Sequence, residues 1–586
     1  MAKTTRSVFL LIFLFVTFSR ICLSSECYEI RFERDVEVTM RDGVVLHADI
    51  YRPKAEGKFP VLLLRTPYDK QGERDTGIIF AQRGYVAILQ DVRGRFTSGG
   101  EWYPFKHESE DGYDTVEWAA ALPYSNGKVG MFGGSYEGAT QLLAAIAHPP
   151  HLAGIFPEVT GSNYHEGWVY QGGAFEQWLS ESWTASLARD TLNRRVRENT
   201  NPLAGIERLP LTSFAVQNPV PQEQLAPYFF DWLAHPSYDE FWKKLSIEEH
   251  YKEITVPVFH FGAWYDIFLG GSLQNYTGLK TSANGDDARR GQKLMIGVGG
   301  HAGDGRKVGE VDFGSTAEVN ITEIQLRWYD HLLKGLANGS AEEKPVKIFV
   351  MGKNEWRDEN EWPLARARTT KYFLQSNGSA NSVRGGGLLA QEIREGKASS
   401  DKFVYDPANP VPTLGGPLCC AQRLLLPGPK DQRPIESRED VLIYSTPAFQ
   451  NDLEVTGPVS LEICVSSTAV DTDFTAKLVD VWPNGFAQNL SEGILRMRYR
   501  TSREHPEMMR PGEVYKVRID MVATSNVFLA GHKLRLEISS SNFPRFDRNL
   551  NSGEDQARAT RMIKAENTVL HDTEHPSALI LPIVPR

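Results

Sequence analysis

Between about Ile30 and Glu158, short apolar runs alternate with stretches of helical period. Val61 to Leu64 and Lys128 to Phe132 read as strands, and the alanine-rich stretch Ala139 to Ala147 reads as a helix, so this part predicts a parallel sheet with crossover helices. From about Thr160 to His250 the pattern changes. This stretch carries Trp168, Trp178, Trp183, Trp232 and Trp242, a polar helix-like segment from Ser186 to Asn199, and a proline-rich loop at Pro219-Val220-Pro221. It predicts a helical cap whose tryptophans mostly form its own core, the others walling a pocket. The alternating pattern resumes at Val256 and ends near a helix from Ile321 to Leu336. Beyond about Glu343 the period shortens to strands: Val346 to Val350, Lys371 to Leu374, Val441 to Ser445, Val459 to Ser466, Phe474 to Val481, Ile494 to Tyr499, Val514 to Met521 and His532 to Ile538. Gly, Pro and Asn punctuate them, as in a β-sandwich. The expected division is therefore residues 26–159 and 251–342 as two parts of one α/β domain, 160–250 as a cap between them, and 343–586 as the sandwich.

Composition fits a multi-domain globular chain. It has 586 residues, 41% of them hydrophobic and 24% charged, and a net charge of −10. The mild negative charge and the lack of a basic run argue against a nucleic-acid partner. Residues 1–25 read as a signal peptide: Lys3 and Arg6 precede an apolar stretch from Val8 to Phe18, and small residues at Ser24-Ser25 suit cleavage. An apolar stretch of eleven residues is short for a bilayer span, so a secreted or periplasmic protein without a stable membrane span is expected.

Removing that peptide leaves Cys27, Cys419, Cys420 and Cys464. Two disulfides are expected in an exported chain, with Cys27 and Cys464 each joined to one of the adjacent pair, the alternative being buried thiols. Sequons occur at Asn275, Asn320, Asn338, Asn377 and Asn489. Neither a CxxC pair, an HExxH nor a GxGxxG opening a helix after a strand is found, so no metal or organic cofactor is expected.

The most informative segment is Gly133-Gly134-Ser135-Tyr136-Glu137-Gly138, set between an apolar strand and an alanine-rich helix. A serine at such a corner is lifted clear of the sheet, and the helix start offers a backbone N–H to developing negative charge. Ser135 is the candidate nucleophile. Asp266 ends the apolar run that begins at Val256, and His301 follows the strand Lys293 to Val298 through Gly299-Gly300. Ser, acid, His is the chain order of a doubly wound hydrolase, and strand C-terminal ends are where such sheets place their chemistry. Asp304 is an alternative acid. His148, His151 and His260 are less well placed than His301.

The chain resembles the serine hydrolases typified by cocaine esterase, related to α-amino acid ester hydrolases and X-Pro dipeptidyl peptidases. The resemblance is carried by Met40-Arg41-Asp42-Gly43-Val44, Asp49-Ile50-Tyr51-Arg52-Pro53, Arg65-Thr66-Pro67-Tyr68, Gln90-Asp91-Val92-Arg93-Gly94 with Ser98-Gly99-Gly100, Gly130 to Gly138, Gly262 to Asp266 and Asn542-Phe543-Pro544-Arg545-Phe546. It implies an α/β hydrolase with an inserted helical cap and a C-terminal jelly-roll β-sandwich. It also implies an oxyanion hole made by the Tyr68 hydroxyl with the Tyr136 N–H.

The activity expected is hydrolysis of a small-molecule ester, or an amide, through an acyl-enzyme formed on Ser135. Amino acid ester hydrolases bind an α-ammonium with carboxylates, two of them just after the catalytic acid. Here Asp266 is followed by the apolar Ile267-Phe268-Leu269, and only Glu166 near the start of the cap could substitute. An ammonium desolvated without a partner is costly, so amino-acyl substrates are disfavoured. The alternatives are an X-Pro dipeptidyl aminopeptidase, a β-lactam acylase and, in another class, a noncatalytic jelly-roll binding protein. The natural acyl group and the oligomeric state are not legible in the chain.

Overall fold

The computed structural model describes residues 27–199, 221–301, 305–393, 400–420 and 424–585. The proposed signal peptide, Asp304 and most of the proline-rich loop lie outside them.

Among the described residues, ten strands form the first sheet. It opens with an antiparallel hairpin, β1 (Ile30–Thr39) with β2 (Val45–Pro53), which the sequence reading had not separated from the parallel part. The strands β3 (Phe59–Thr66), β4 (Val86–Asp91), β5 (Ser125–Gly134) and β6 (Leu152–Glu158) then run parallel in the order β4-β3-β5-β6. Beyond β6 lie Phe259–Tyr265 and Lys293–Gly300, also parallel.

Alternation along these strands sends side chains to two helical layers. Val129 and Met131 of β5 pack with Val116 and Ala119 of α2 (Glu108–Ala120) and Leu142 of α3 (Tyr136–Ile146). Phe132 faces the other way, toward Phe80 of α1 (Arg74–Gln82) and Leu326 of the helix Ile321–Leu332. The latter helix ends four residues before the expected Leu336.

One strand moves to a different sheet. Val346–Val350, expected in the C-terminal β-structure, pairs in parallel with Lys293–Gly300, and Glu355–Glu359 closes that edge antiparallel to it. Val346, Ile348, Phe349 and Val350 are buried there and Lys347 alone in the strand is exposed, close to the near-continuous apolar run of a strand covered on both faces. The second sheet starts at Arg368–Gln375 and has eleven strands, with Leu453–Ser467 and Tyr515–Phe528 forming its longest pairing. The two sheets share one core, in which Trp264, Ile296 and Ile348 meet Leu461, Ile463 and Leu536.

Among the described residues between β6 and Phe259–Tyr265 the chain is mainly helical. Its longest helix is α4 (Gln177–Asn199), followed by short helices such as Pro227–Ala234 and Glu240–Lys243. Trp168, Trp183, Trp232 and Trp242 are buried there.

Cys419, Cys420 and Cys464 are free thiols, which corrects the expected pair of disulfides, since each bridge needed one of the adjacent cysteines. Cys464 lies inside the strand Leu453–Ser467 with its side chain buried, whereas Cys419 and Cys420 belong to a loop that reaches the first domain. Two sequons are also closed by folding, because Asn275 and Asn489 are buried.

Candidate active site

Ser135 sits at the corner between β5 and α3 with φ 58° and ψ −122°. This backbone conformation is unusual for a residue with a Cβ, and such strain gathers at reacting positions. Its neighbours must be small. A Cβ on Gly133, at φ 122°, would lie 2.7 Å from the Glu137 Cβ, and one on Gly138 would lie 2.9 Å from the Thr160 Cβ. Thr160 in turn donates its hydroxyl to the Ser135 carbonyl at 2.7 Å, and the Ser135 N–H donates to the Glu158 carbonyl at 2.9 Å.

His301, directly after Lys293–Gly300, brings Nε2 to 3.0 Å from the Ser135 Oγ. Its Nδ1 lies 2.7 Å from Oδ1 of Asp266, directly after Phe259–Tyr265. A carboxylate only accepts, so the imidazole donates from Nδ1 and turns the lone pair of Nε2 toward the serine hydroxyl. Burial alone would lower the His301 pKa, but the Asp266 charge and hydrogen bond outweigh it and raise it above the ordinary value. The other Asp266 oxygen is buried without a hydrogen-bond partner among the described residues.

The acid is held from both domains. Next to it, the Tyr265 hydroxyl donates to the Asn489 carbonyl of the second sheet at 2.9 Å, and the Trp264 indole donates to the Phe349 carbonyl at 2.7 Å. On its other side, Phe268 packs edge-on against the His301 ring, 5.1 Å between centroids, and stacks on Trp168 at 4.2 Å.

Tyr68 follows β3 in a loop fixed at three points. Its N–H donates to the Thr66 hydroxyl at 3.1 Å, the preceding Pro67 carbonyl accepts from Arg95 Nε at 2.9 Å, and Arg95 also donates to the Leu187 carbonyl of α4 at 3.0 Å. The Tyr68 hydroxyl accepts the Trp183 indole N–H at 2.9 Å, so its own proton is left to donate elsewhere. Tyr68 is 38% exposed, and desolvation of its hydroxyl raises its pKa. Tyr136 supplies the first amide of α3, one of the N–H groups that have no acceptor within the helix. Its side chain is anchored away from the cavity, donating to Glu108 Oε1 at 2.9 Å and accepting from the Phe105 N–H at 2.8 Å.

Ser135 and His301 face two cavities. One, of about 540 Å³, is lined also by Tyr68, Trp168, Leu179, Trp183, Phe268, Cys419 and Cys420, with no carboxylate among its described lining residues. The other, of about 320 Å³, contains Glu73, Glu137 and Glu158. Burial, reinforced by the charge of Glu73, pushes the Glu137 pKa up to about 8. Glu166 lines neither. It is half-buried and lines a third cavity of about 620 Å³ with Glu248 and Arg503, where it accepts the Gly172 N–H at 2.9 Å. Among the described residues no cluster of three metal-ligating side chains occurs, and no helix is long and apolar enough to cross a membrane.

The structure thus brings Ser135, Asp266 and His301 into one hydrogen-bonded chain, with Tyr68 and Tyr136 beside it. Sequence reasoning missed Phe268 and the adjacent cysteines as lining residues, although Phe268 stands two positions after Asp266. Trp183 was noted only as one of the cap's tryptophans.

Residues 42–303 match the family model described as X-Pro dipeptidyl-peptidase (S15 family), and residues 338–580 match that of the X-Pro dipeptidyl-peptidase C-terminal non-catalytic domain. The chain belongs to this family of hydrolases. It is similar to cocaine esterase from Rhodococcus sp. (strain MB1 Bresler), with 39% identity covering 94% of this chain and 98% of the relative. Among solved structures it is similar to an aminopeptidase from a marine sediment Thaumarchaeota archaeon, with a TM-score of 0.80 and 26% identity over 95% of this chain and 97% of that one. An α-amino acid ester hydrolase shares the fold, with a TM-score of 0.77 and 24% identity over 98% of this chain and 100% of that one. With these relatives, the chain is a serine hydrolase in an α/β-hydrolase fold with a C-terminal sheet domain.

Proposed function

We propose that this enzyme cleaves carboxylic esters with a bulky, uncharged acyl group, using Ser135, His301 and Asp266 as its triad. The observation that carries the reading is the cavity beside Ser135, walled by Trp168, Trp183, Phe268 and Leu179 and free of carboxylates among its described lining residues. Such a wall favours an aromatic or branched apolar acyl group and offers a free α-ammonium no partner. The 39% identical relative named for cocaine hydrolysis supports an ester substrate.

In this reading the Ser135 Oγ attacks the ester carbonyl while His301 Nε2 takes its proton. Asp266 stabilises the imidazolium and fixes its tautomer. The oxyanion forms against the Tyr68 hydroxyl and the Tyr136 N–H, donors placed before the charge develops. His301 then returns the proton to the leaving alcohol, and water repeats the sequence to release the acid. Specificity constants for p-nitrophenyl acetate, butyrate and benzoate test the acyl preference. The benzoate should be favoured once each rate is corrected for intrinsic reactivity, and a preference for acetate would contradict it.

A second reading has its own observation. Glu73 and Glu158 in the opposite cavity are carboxylates that a cationic amine would seek, which suits an X-Pro dipeptidyl aminopeptidase. We also read the N-terminal stretch as an export signal, and N-terminal sequencing of protein recovered outside the cell checks it.

A further inference from the structure

Cys419 and Cys420 come from the C-terminal part of the chain but line the cavity of the first domain. On either side of them, Gly416 and Gly428 exchange reciprocal backbone hydrogen bonds at 2.8 and 2.9 Å. The Cys420 carbonyl accepts the Trp178 indole N–H of α4 at 3.1 Å, and Cys420 itself turns the chain at φ 65°. Both thiols are unbridged and both line the cavity that holds Ser135 and His301. Cys419 is buried in the first domain's core, and Cys420 is partly open to the cavity.

We infer that Cys419 and Cys420 form a thiol-modification site inside the substrate cavity, at which Cys420 takes small uncharged organic disulfides and thereby blocks access to Ser135. The two cysteines have unlike surroundings. The neighbouring Cys419, as a hydrogen-bonding partner, holds the Cys420 thiol below its usual range despite burial. Burial pushes the Cys419 thiol the opposite way, so it remains a protonated donor. A partly open cysteine beside a donor and an imidazole is the kind that reacts.

The step balances as ordinary exchange. The Cys420 thiolate attacks one sulfur of R–S–S–R, the S–S bond breaks, and R–S⁻ departs and takes up a proton as R–SH. Cys420 is oxidised to a mixed disulfide and the reagent is reduced by the same two electrons. The R–S group then occupies the space beside Trp183 and Phe268 that an acyl group needs. A dithiol reductant reverses it.

This inference deepens the proposed ester hydrolysis and rests on the assignment of Ser135. The test exposes the full-length mature protein to bis(2-hydroxyethyl) disulfide. Three quantities are followed: p-nitrophenyl benzoate turnover, the rate of Ser135 labelling by a fluorophosphonate, and the mass of each cysteine peptide. Cys420→Ser and the double variant Cys27→Ser/Cys464→Ser are each compared with their own untreated rates. The expected result is one adduct on Cys420, loss of most turnover and phosphonate labelling, and recovery of both with dithiothreitol. Cys420→Ser should resist the reagent, and the double variant should respond as the parent does. An adduct on Cys420 with unchanged rates, or a loss of rate without that adduct, overturns the inference, and the peptide map of the parent protein decides this even where Cys420→Ser does not fold. Absence of ester turnover in untreated protein would instead count against the functional reading, leaving the adduct and phosphonate labelling to judge the thiol site.

Discussion

The Trp183 indole N–H donates to the Tyr68 hydroxyl at 2.9 Å, joining the cap helix to the loop after β3 across 115 positions of sequence. A phenol that accepts one such bond has its oxygen fixed and its proton free. Tyr68 is thereby held as a donor before any oxyanion exists, which is the condition for stabilising a transition state without reorganisation.

Tyr68→Phe should therefore lower kcat by about 10²–10³-fold, the usual cost of one oxyanion donor, with a much smaller change in KM. Steady-state rates with an activated ester check this. An unchanged kcat would mean that the carbonyl is held elsewhere.

Asp266→Asn should cost about 10⁴-fold in kcat by allowing the wrong imidazole tautomer. The direction of the pH profile is also fixed. Catalysis needs neutral His301, so kcat/KM rises with pH through a midpoint above the ordinary histidine value, because Asp266 raises that pKa against the effect of burial. Without the aspartate charge the acidic limb of the remaining activity should move to lower pH. A limb that stays in place would show that another group titrates there.

Much of this site was legible because its signals are local. A serine between glycines at a strand-to-helix corner, an aspartate ending an apolar run and a histidine after Gly299-Gly300 each announce themselves within ten residues. The contact between Trp183 and Tyr68 does not, since it depends on how a cap helix folds back over the sheet. The same holds for Val346–Val350, whose apolar pattern suits either sheet and whose membership is decided by its neighbour Lys293–Gly300. The cysteines misled for a related reason. An even count suggests pairing, but it does not show that Cys464 is inside a strand while Cys419 and Cys420 line a cavity.

Glu137 should make the protein less stable as pH rises. Its pKa is about 8 in the folded chain against the ordinary 4.5, so between those values the unfolded chain has released a proton that the folded chain retains. Stability is full below about 4.5 and falls until about 8, by an amount on the order of 3–5 kcal/mol at roughly 1.4 kcal/mol per pH unit. Glu137→Gln should match the parent near pH 4.5 and unfold at higher temperature than the parent near pH 8. Parallel melting curves at both pH values would refute the assignment.

Ser135→Gly should abolish turnover yet stabilise the fold. The positive φ at Ser135 stores about 1–3 kcal/mol that glycine does not incur, while glycine's extra chain freedom returns roughly 0.5–1 kcal/mol of it. Denaturant unfolding should show a net gain of about 1 kcal/mol over the parent. A loss of stability would mean that the corner is not strained.

The most direct test of the whole account is turnover of p-nitrophenyl benzoate beside glycyl-prolyl-p-nitroanilide, by the mature protein and by Ser135→Ala. The account predicts that the benzoate is cleaved, that Ser135→Ala abolishes this, and that the anilide is left intact. Ser135-dependent cleavage of the anilide, with the ester untouched, would contradict it and make Glu73 and Glu158 the groups that receive the substrate's amine.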